Sequence, residues 1–167
     1  MLGPKCLEGG KTFCFNLSAP FIMQVPPFKA CLMATLPYVD YLFGNETEAL
    51  TFAESESWPE KDIVAIAKKI AALPKEGGKP RTVVITQGKD PTVVVVNGQV
   101  SEHPIIALPK EKLKDTNGAG DSYVGGFLAG LALGKPIADC HAAAAYAASV
   151  IVQTSGCQFS GKPEFKF

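Results

Sequence analysis

Net charge, closely spaced cysteines and bilayer-length apolar runs are all missing from this 167-residue sequence. Sixteen basic residues balance sixteen acidic ones, so the basic footprint of a nucleic-acid binder is absent, as is that of a ligand for anionic membranes. Phosphate, if bound, must be held by local groups. The five cysteines (Cys6, Cys14, Cys31, Cys140 and Cys157) are odd in number and scattered, with no C-x-x-C spacing. That pattern argues against a zinc site and against a disulfide framework, and makes a reducing, cytoplasmic setting the default, with the nucleus left open. The longest apolar stretch, Tyr123 to Gly134, is too short to span a bilayer and reads as a buried helix. Lys5, Glu8 and Lys11 stand among glycines near the start, unlike a signal peptide or an anchor. Internal repeats and low-complexity segments are lacking too.

What is present is ample for a core: 47% of the residues are hydrophobic and 19% charged, which suits one globular domain over residues 1–167. Thr12 to Leu17 is rich in strand formers, and helical potential follows around Phe28 to Leu36. Tyr38 to Phe43 reads as a second strand. Asn45 then caps a helix running to about Ser55, with Glu46 and Glu48 in its favourable first turn. Ile63, Ile66, Ala67, Ile70 and Leu73 mark an amphipathic helix ending near Pro74. Thr82 to Thr86 is nearly all β-branched, as in a strand buried on both faces. Thr92 to Val96 and Val100 to Leu108 follow as strands joined across Asn97-Gly98, a strong hairpin signal. Helices are expected over about 119–133 and 136–154, the second containing the alanine run 142–145. The alternation predicts an α/β fold with a mainly parallel sheet and an antiparallel hairpin near its edge.

Chemistry concentrates in D-T-N-G-A-G-D, residues 115–121, a small-residue turn leading straight into an apolar helix. Such a turn presents backbone N–H groups at a helix N-terminus, where unpaired donors and the helix dipole favour an anion. Gly118, Ala119 and Gly120 would form the anion hole, and Asp121 stands close enough to take a proton from an attacking hydroxyl. Glycine before a helix and aspartate in its first turn are also ordinary structural devices. A second carboxylate, Asp115, six residues earlier makes the functional reading the stronger one. His103 and His141 read as surface or helix residues.

D-T-N-G-A-G-D followed by S-Y-V-G-G-F resembles the signature of the ribokinase-like (pfkB) carbohydrate and nucleoside kinases. N-L-S-A-P-F, P-Y-V-D-Y-L-F-G-N-E-T-E-A and T-Q-G resemble the adenosine kinases within that family. The likeness runs from about Thr12 to Phe165 and covers about half of the family's usual chain. It implies a ribokinase-like, Rossmann-like three-layer sandwich that here lacks its N-terminal part and its lid. It also implies transfer of the ATP γ-phosphate to the 5′-hydroxyl of adenosine, giving AMP in purine salvage. Asp121 then matches the catalytic base, and the backbone of Gly118, Ala119 and Gly120 the hole that neutralises the transferring phosphoryl group. Asn45 and Glu48 match an N-x-x-E motif that organises Mg2+ and its waters. Thr86, Gln87 and Gly88 match a turn on the nucleotide phosphates. Asp115, Asn117, Gly156 and Ser160 fall where the family holds a monovalent cation such as K+. Each residue keeps a structural alternative: Asn45 as a helix cap, Glu48 as a solvated helix carboxylate, Thr86-Gln87-Gly88 as a plain turn, and Gly156 and Ser160 as residues of a C-terminal loop.

Two departures accompany the resemblance. Ala145 stands where a histidine near the adenine is expected, and Ser122-Tyr123 replaces the usual Ala-Phe after the base, adding two hydroxyls. The family's front half supplies the first strands, the lid and most acceptor contacts, so weak or absent activity is expected of this chain alone. An exposed sheet edge is expected to take a complementary N-terminal half or a second copy. A ribokinase-like sugar kinase and a non-catalytic ATP-binding fragment are the rival readings.

Overall fold

The computed structural model of the chain describes residues 2–159 and 161–167. It divides into two compact units, Met1–Glu102 and His103–Phe167. In the first unit, α1 (Leu2–Glu8), β1 (Cys14–Asn16), α2 (Phe21–Gln24) and α3 (Pro26–Thr35) lead through a 3-10 turn into β2 (Tyr41–Asn45) and α4 (Glu46–Ser55). Then come α5 (Ile63–Ala72), β3 (Thr82–Gln87), β4 (Asp90–Val96) and β5 (Gln99–His103), whose last residue already belongs to the second unit. One sheet carries all five strands in the order β1-β2-β3-β4-β5. The first three are parallel and β4 runs antiparallel to β3. The α/β class and the edge hairpin expected from the sequence are what forms. Asn97 (φ 48°) and Gly98 (φ 75°) supply the paired left-handed residues of a tight hairpin turn.

The three-and-four spacing on α5 turns Ile66, Ala67 and Ile70 inward, all at 0% exposure. They join Leu42, Val83, Ile85, Val93 and Val95 of the strands and Phe52 of α4 in one apolar cluster. Full burial of each such isoleucine contributes roughly 1.5–3 kcal/mol. Arg81, 1% exposed, lies at the foot of β3 and donates to the carbonyls of Ile70, Leu73, Leu36 and Pro74. It thereby closes the C-terminal end of α5, whose last carbonyls have no helical partner.

Three boundaries differ from the sequence reading. The second strand starts at Tyr41 rather than Tyr38, because Pro37 sits in the 3-10 turn Leu36–Tyr38, and it runs on through Gly44 and Asn45. The last strand stops at His103 instead of Leu108, since Pro104 has no N–H to offer a ladder. Helix α1 was not expected at all. It ends in a Schellman motif, with Gly10 at φ 60°, Lys11 N donating to Cys6 O at 2.8 Å and Gly10 N to Leu7 O at 3.1 Å.

In the second unit, α6 (Ala119–Ala132) and α7 (Ile137–Ile151) pack against each other. Their approach depends on glycine: a Cβ on Gly126 would lie 2.6 Å from Ala143 O, and one on Gly130 would lie 2.9 Å from Cys140 Cα. The alanine run thus serves close helix packing as well as helix propensity. The apolar stretch 123–134 is buried on one face only, by Tyr123, Phe127 and Gly130, while Leu133 is 62% exposed. Among the described residues no helix is long and apolar enough to cross a membrane.

Candidate active site

In the first unit, the parallel register sets Asn45 beside Thr86 at the C-terminal ends of β2 and β3. Open α/β sheets bind ligands outside these strand ends. Asn45 Oδ1 accepts from Glu48 N at 2.9 Å, and Glu48 Oε2 accepts from Asn45 N at 2.9 Å, a reciprocal capping box that starts α4. Glu48 is 5% exposed. Gly44 makes room for it, since a Cβ there would lie 3.2 Å from Glu48 Oε2 and 2.9 Å from Leu17. Thr86 Oγ1 donates to Gly44 O at 3.4 Å and Gln87 Nε2 to Pro91 O at 2.6 Å. Gly88 turns the chain at φ 56°. Asn45, Glu48, Thr86, Gln87 and Gly88, scattered over 44 positions of sequence, therefore share one corner of this unit.

In the second unit, Gly118 is the N-cap of α6 at φ 77°. Ala119 N returns to Thr116 O at 3.2 Å, and Ser122 N to Gly118 O at 2.9 Å. Among the described residues no backbone carbonyl accepts from the N–H groups of Gly118, Gly120 and Asp121. Asp121 stands exposed in the first turn. The arrangement offers amide donors, a positive helix end and a carboxylate within one turn.

Asp115 fastens this turn from behind. Its Oδ1 accepts from Asn117 N at 2.9 Å and its Oδ2 from Gly156 N at 3.2 Å. These amides, Asn117's first, hold its carboxyl below the usual range. Asp115, Asn117 and Gly156 thus come together, while Ser160 lies outside the described residues. The sequence reading missed Cys157, whose thiol donates to Asn117 O at 3.6 Å and packs on Gly118; its place directly after Gly156 was the one available signal. His141 is a helix residue, the second of the two expected readings, and is only 5% exposed. Its Nδ1 lies 2.8 Å from Tyr123 Oη and its Nε2 3.0 Å from Pro104 O.

A sheet-end glycine turn and capped helix in one unit, and a helix start with an adjoining carboxylate in the other, stand at the kinds of place where α/β proteins bind anions. The chain belongs to the pfkB family of carbohydrate kinases, which matches residues 4–164. Over 156 residues it is 53% identical to Adenosine kinase 1 of Arabidopsis thaliana, covering 93% of this chain and 45% of that protein. It is 40% identical over 168 residues to the adenosine kinase of Dictyostelium discoideum, with 99% and 48% covered. The chain spans about half the length of these curated relatives. Among solved structures, the adenosine kinase of Anopheles gambiae, in complex with P1,P4-di(adenosine-5) tetraphosphate, superposes with a TM-score of 0.92 at 44% identity. The match covers 98% of this chain and 48% of that one. Ribokinase of Thermotoga maritima, 22% identical, shares the fold at a TM-score of 0.72. The fold is ribokinase-like α/β.

Proposed function

We propose that this chain is the nucleotide-phosphate and catalytic-base half of an ATP:adenosine 5′-phosphotransferase, and that both compact units belong to one such domain. The observation that carries the reading is the start of α6, where open amides at Gly118, Gly120 and Asp121 adjoin the Asp121 carboxylate. Family membership over 4–164 and the similarity to adenosine kinases support it. Asp121 takes the proton of the acceptor hydroxyl, and the amides of Gly118 to Gly120 hold the transferring phosphoryl group. Thr86, Gln87 and Gly88 contact the ATP phosphates. In phosphoryl transfer such positioning and charge stabilisation supply most of the catalysis.

Mg2+ fits the first corner through water rather than directly. Glu48 Oε2 is tied to Asn45 N, and this ion keeps several of its waters while taking one or two carboxylates and substrate phosphates. Asn45 and Glu48 would orient those waters, and bound Mg2+ would neutralise charge on the phosphates. A monovalent cation, K+ by the family pattern, fits beside Asp115, which stays anionic and keeps lone pairs beyond those used by Asn117 and Gly156. β1 ends the sheet, and its outer edge would accept a strand from a complementary N-terminal half or from a second copy. Five free cysteines suit the reducing cytoplasm.

The test is ATP-dependent formation of AMP from adenosine by the 167-residue chain and by Asp121→Asn, beside a Mg-ATP binding titration. Binding with little or no turnover is the expected outcome for the chain alone. Turnover abolished by the substitution would show that this half suffices, and absence of binding would refute the proposal.

A further inference from the structure

Tyr123 stands where the family resemblance implies a phenylalanine, and the structure supplies its hydroxyl with a partner. Tyr123 Oη and His141 Nδ1 are 2.8 Å apart, and both residues are buried, at 3% and 5% exposure. The other ring nitrogen, Nε2, lies 3.0 Å from the Pro104 carbonyl, which can only accept. Nε2 therefore carries the ring proton, Nδ1 is the lone-pair nitrogen, and the Tyr123 hydroxyl donates to it. Both imidazole nitrogens are satisfied, as a buried polar ring requires.

This bond is a polar contact in an interface where glycines of α6 meet alanines and Cys140 of α7 at close approach. A fully satisfied buried polar pair specifies one arrangement where smooth packing does not. Tyr123 lies two residues beyond Asp121, within the turns that Ser122 N and Gly118 O begin to close. We propose that His141 is a positioning residue: by holding Tyr123 against α7 and Pro104, it fixes the first turns of α6 and hence the orientation of the Gly118–Asp121 phosphate turn. The link to phosphate rests on the function proposed above; the link to the geometry of α6 does not.

The latch responds to protons. Among the described residues, the groups facing His141 are Tyr123 from α6, His103 at a ring separation of 4.9 Å, and the Pro104 carbonyl. Burial pushes the imidazole below its ordinary value of 6.5, with the Pro104 carbonyl opposing and His103 adding to the effect. Protonation at Nδ1 would force the Tyr123 O–H to turn away. Because the folded chain prefers the neutral ring, the unfolded chain takes the proton more readily. The pair's stabilisation is therefore complete above the ordinary value and drains as pH falls below it.

NMR on the 167-residue chain tests this without nucleotide. His141 is expected as the Nε2–H tautomer, titrating below the ordinary range, with the amide signals of Gly118, Gly120 and Asp121 moving along the same titration curve. In a Tyr123→Phe/His141→Leu variant, which keeps an apolar pair of similar bulk, that pH response of the amides should vanish. An Nδ1–H tautomer, or amides indifferent to His141 titration in the unmodified chain, overturns the proposal whether or not the variant folds. A second arm measures Mg-ATP affinity of Tyr123→Phe at pH 7.5, expected to weaken roughly five-fold as for other indirect couplings. If the unmodified chain binds no ATP while the amide response is seen, the phosphate reading fails and the positioning role stands.

Discussion

Gly118 and Cys157 stand in contact: a Cβ added at Gly118 would overlap the Cys157 thiol, and Gly118 holds a left-handed φ of 77°. Gly118→Ala therefore meets two separate obstacles. The backbone conformation alone costs on the order of 1–2 kcal/mol for a residue with a Cβ, and the overlap adds to it. Gly118→Ala/Cys157→Ala should recover the steric share but not the conformational one. Thermal unfolding of the single and double variants separates the two. Full recovery in the double variant would show that the turn relaxes to another φ.

Glu48 is asked to do two things, and its amide distinguishes them. Glutamine serves in a capping box as glutamate does, so Glu48→Gln should leave the urea midpoint nearly unchanged. Glu48→Ala should cost about 1 kcal/mol, as loss of a cap does. If Glu48 also orients the waters of Mg2+, Glu48→Gln will raise the Mg2+ concentration needed for ATP binding while stability holds. Equal Mg2+ dependence in the Gln variant and the unmodified chain would leave Glu48 a cap and nothing more.

Much of this was legible because the signals were local. Asn45 and Glu48 carry the capping box three residues apart, Asn97-Gly98 declares its hairpin, and the spacing on α5 selects the residues that are buried. What the sequence hid was long-range pairing. Arg81 carries no local signal, since its partners lie 7 to 45 residues away in sequence. His141 sat in an alanine-rich helix with nothing nearby to announce Tyr123, 18 positions earlier. The strand limits at Tyr41 and His103 were set by Pro37 and Pro104, which a reading led by β-propensity overran.

Arg81 should prove more important to stability than any surface cation. Arg81→Met would leave the carbonyls of Leu73 and Pro74 without this donor, while those of Leu36 and Ile70 keep only the backbone N–H of Val39 and of Leu73. Unsatisfied buried polar groups cost about 1–3 kcal/mol, so a loss of roughly 3 kcal/mol or more is expected. Arg81→Lys should recover only part, because an ammonium cannot reproduce the planar fork that reaches several carbonyls at once. Urea unfolding of both variants checks the order: unmodified chain most stable, then lysine, then methionine.

The cysteines should sort by thiolate availability. Burial, with the charge of Asp40 adding to it, pushes Cys14 up to about 11. Burial and then the charge of Asp139 raise Cys140, whose thiol donates to Lys135 O at 3.4 Å. Cys31 and Cys157 are exposed. Since the thiolate is the reacting species, iodoacetamide at pH 8 should label Cys31 and Cys157 first, with Cys14 slower by roughly two orders of magnitude. Peptide mass spectrometry over a time course reads the ranking. Cys14 labelling as fast as Cys31 would mean that the β1 edge opens readily. Because Cys157 lies against Gly118, Mg-ATP should slow labelling at Cys157 while leaving Cys31 unaffected; equal protection at both positions would point to a general tightening of the chain rather than to occupancy of the phosphate turn.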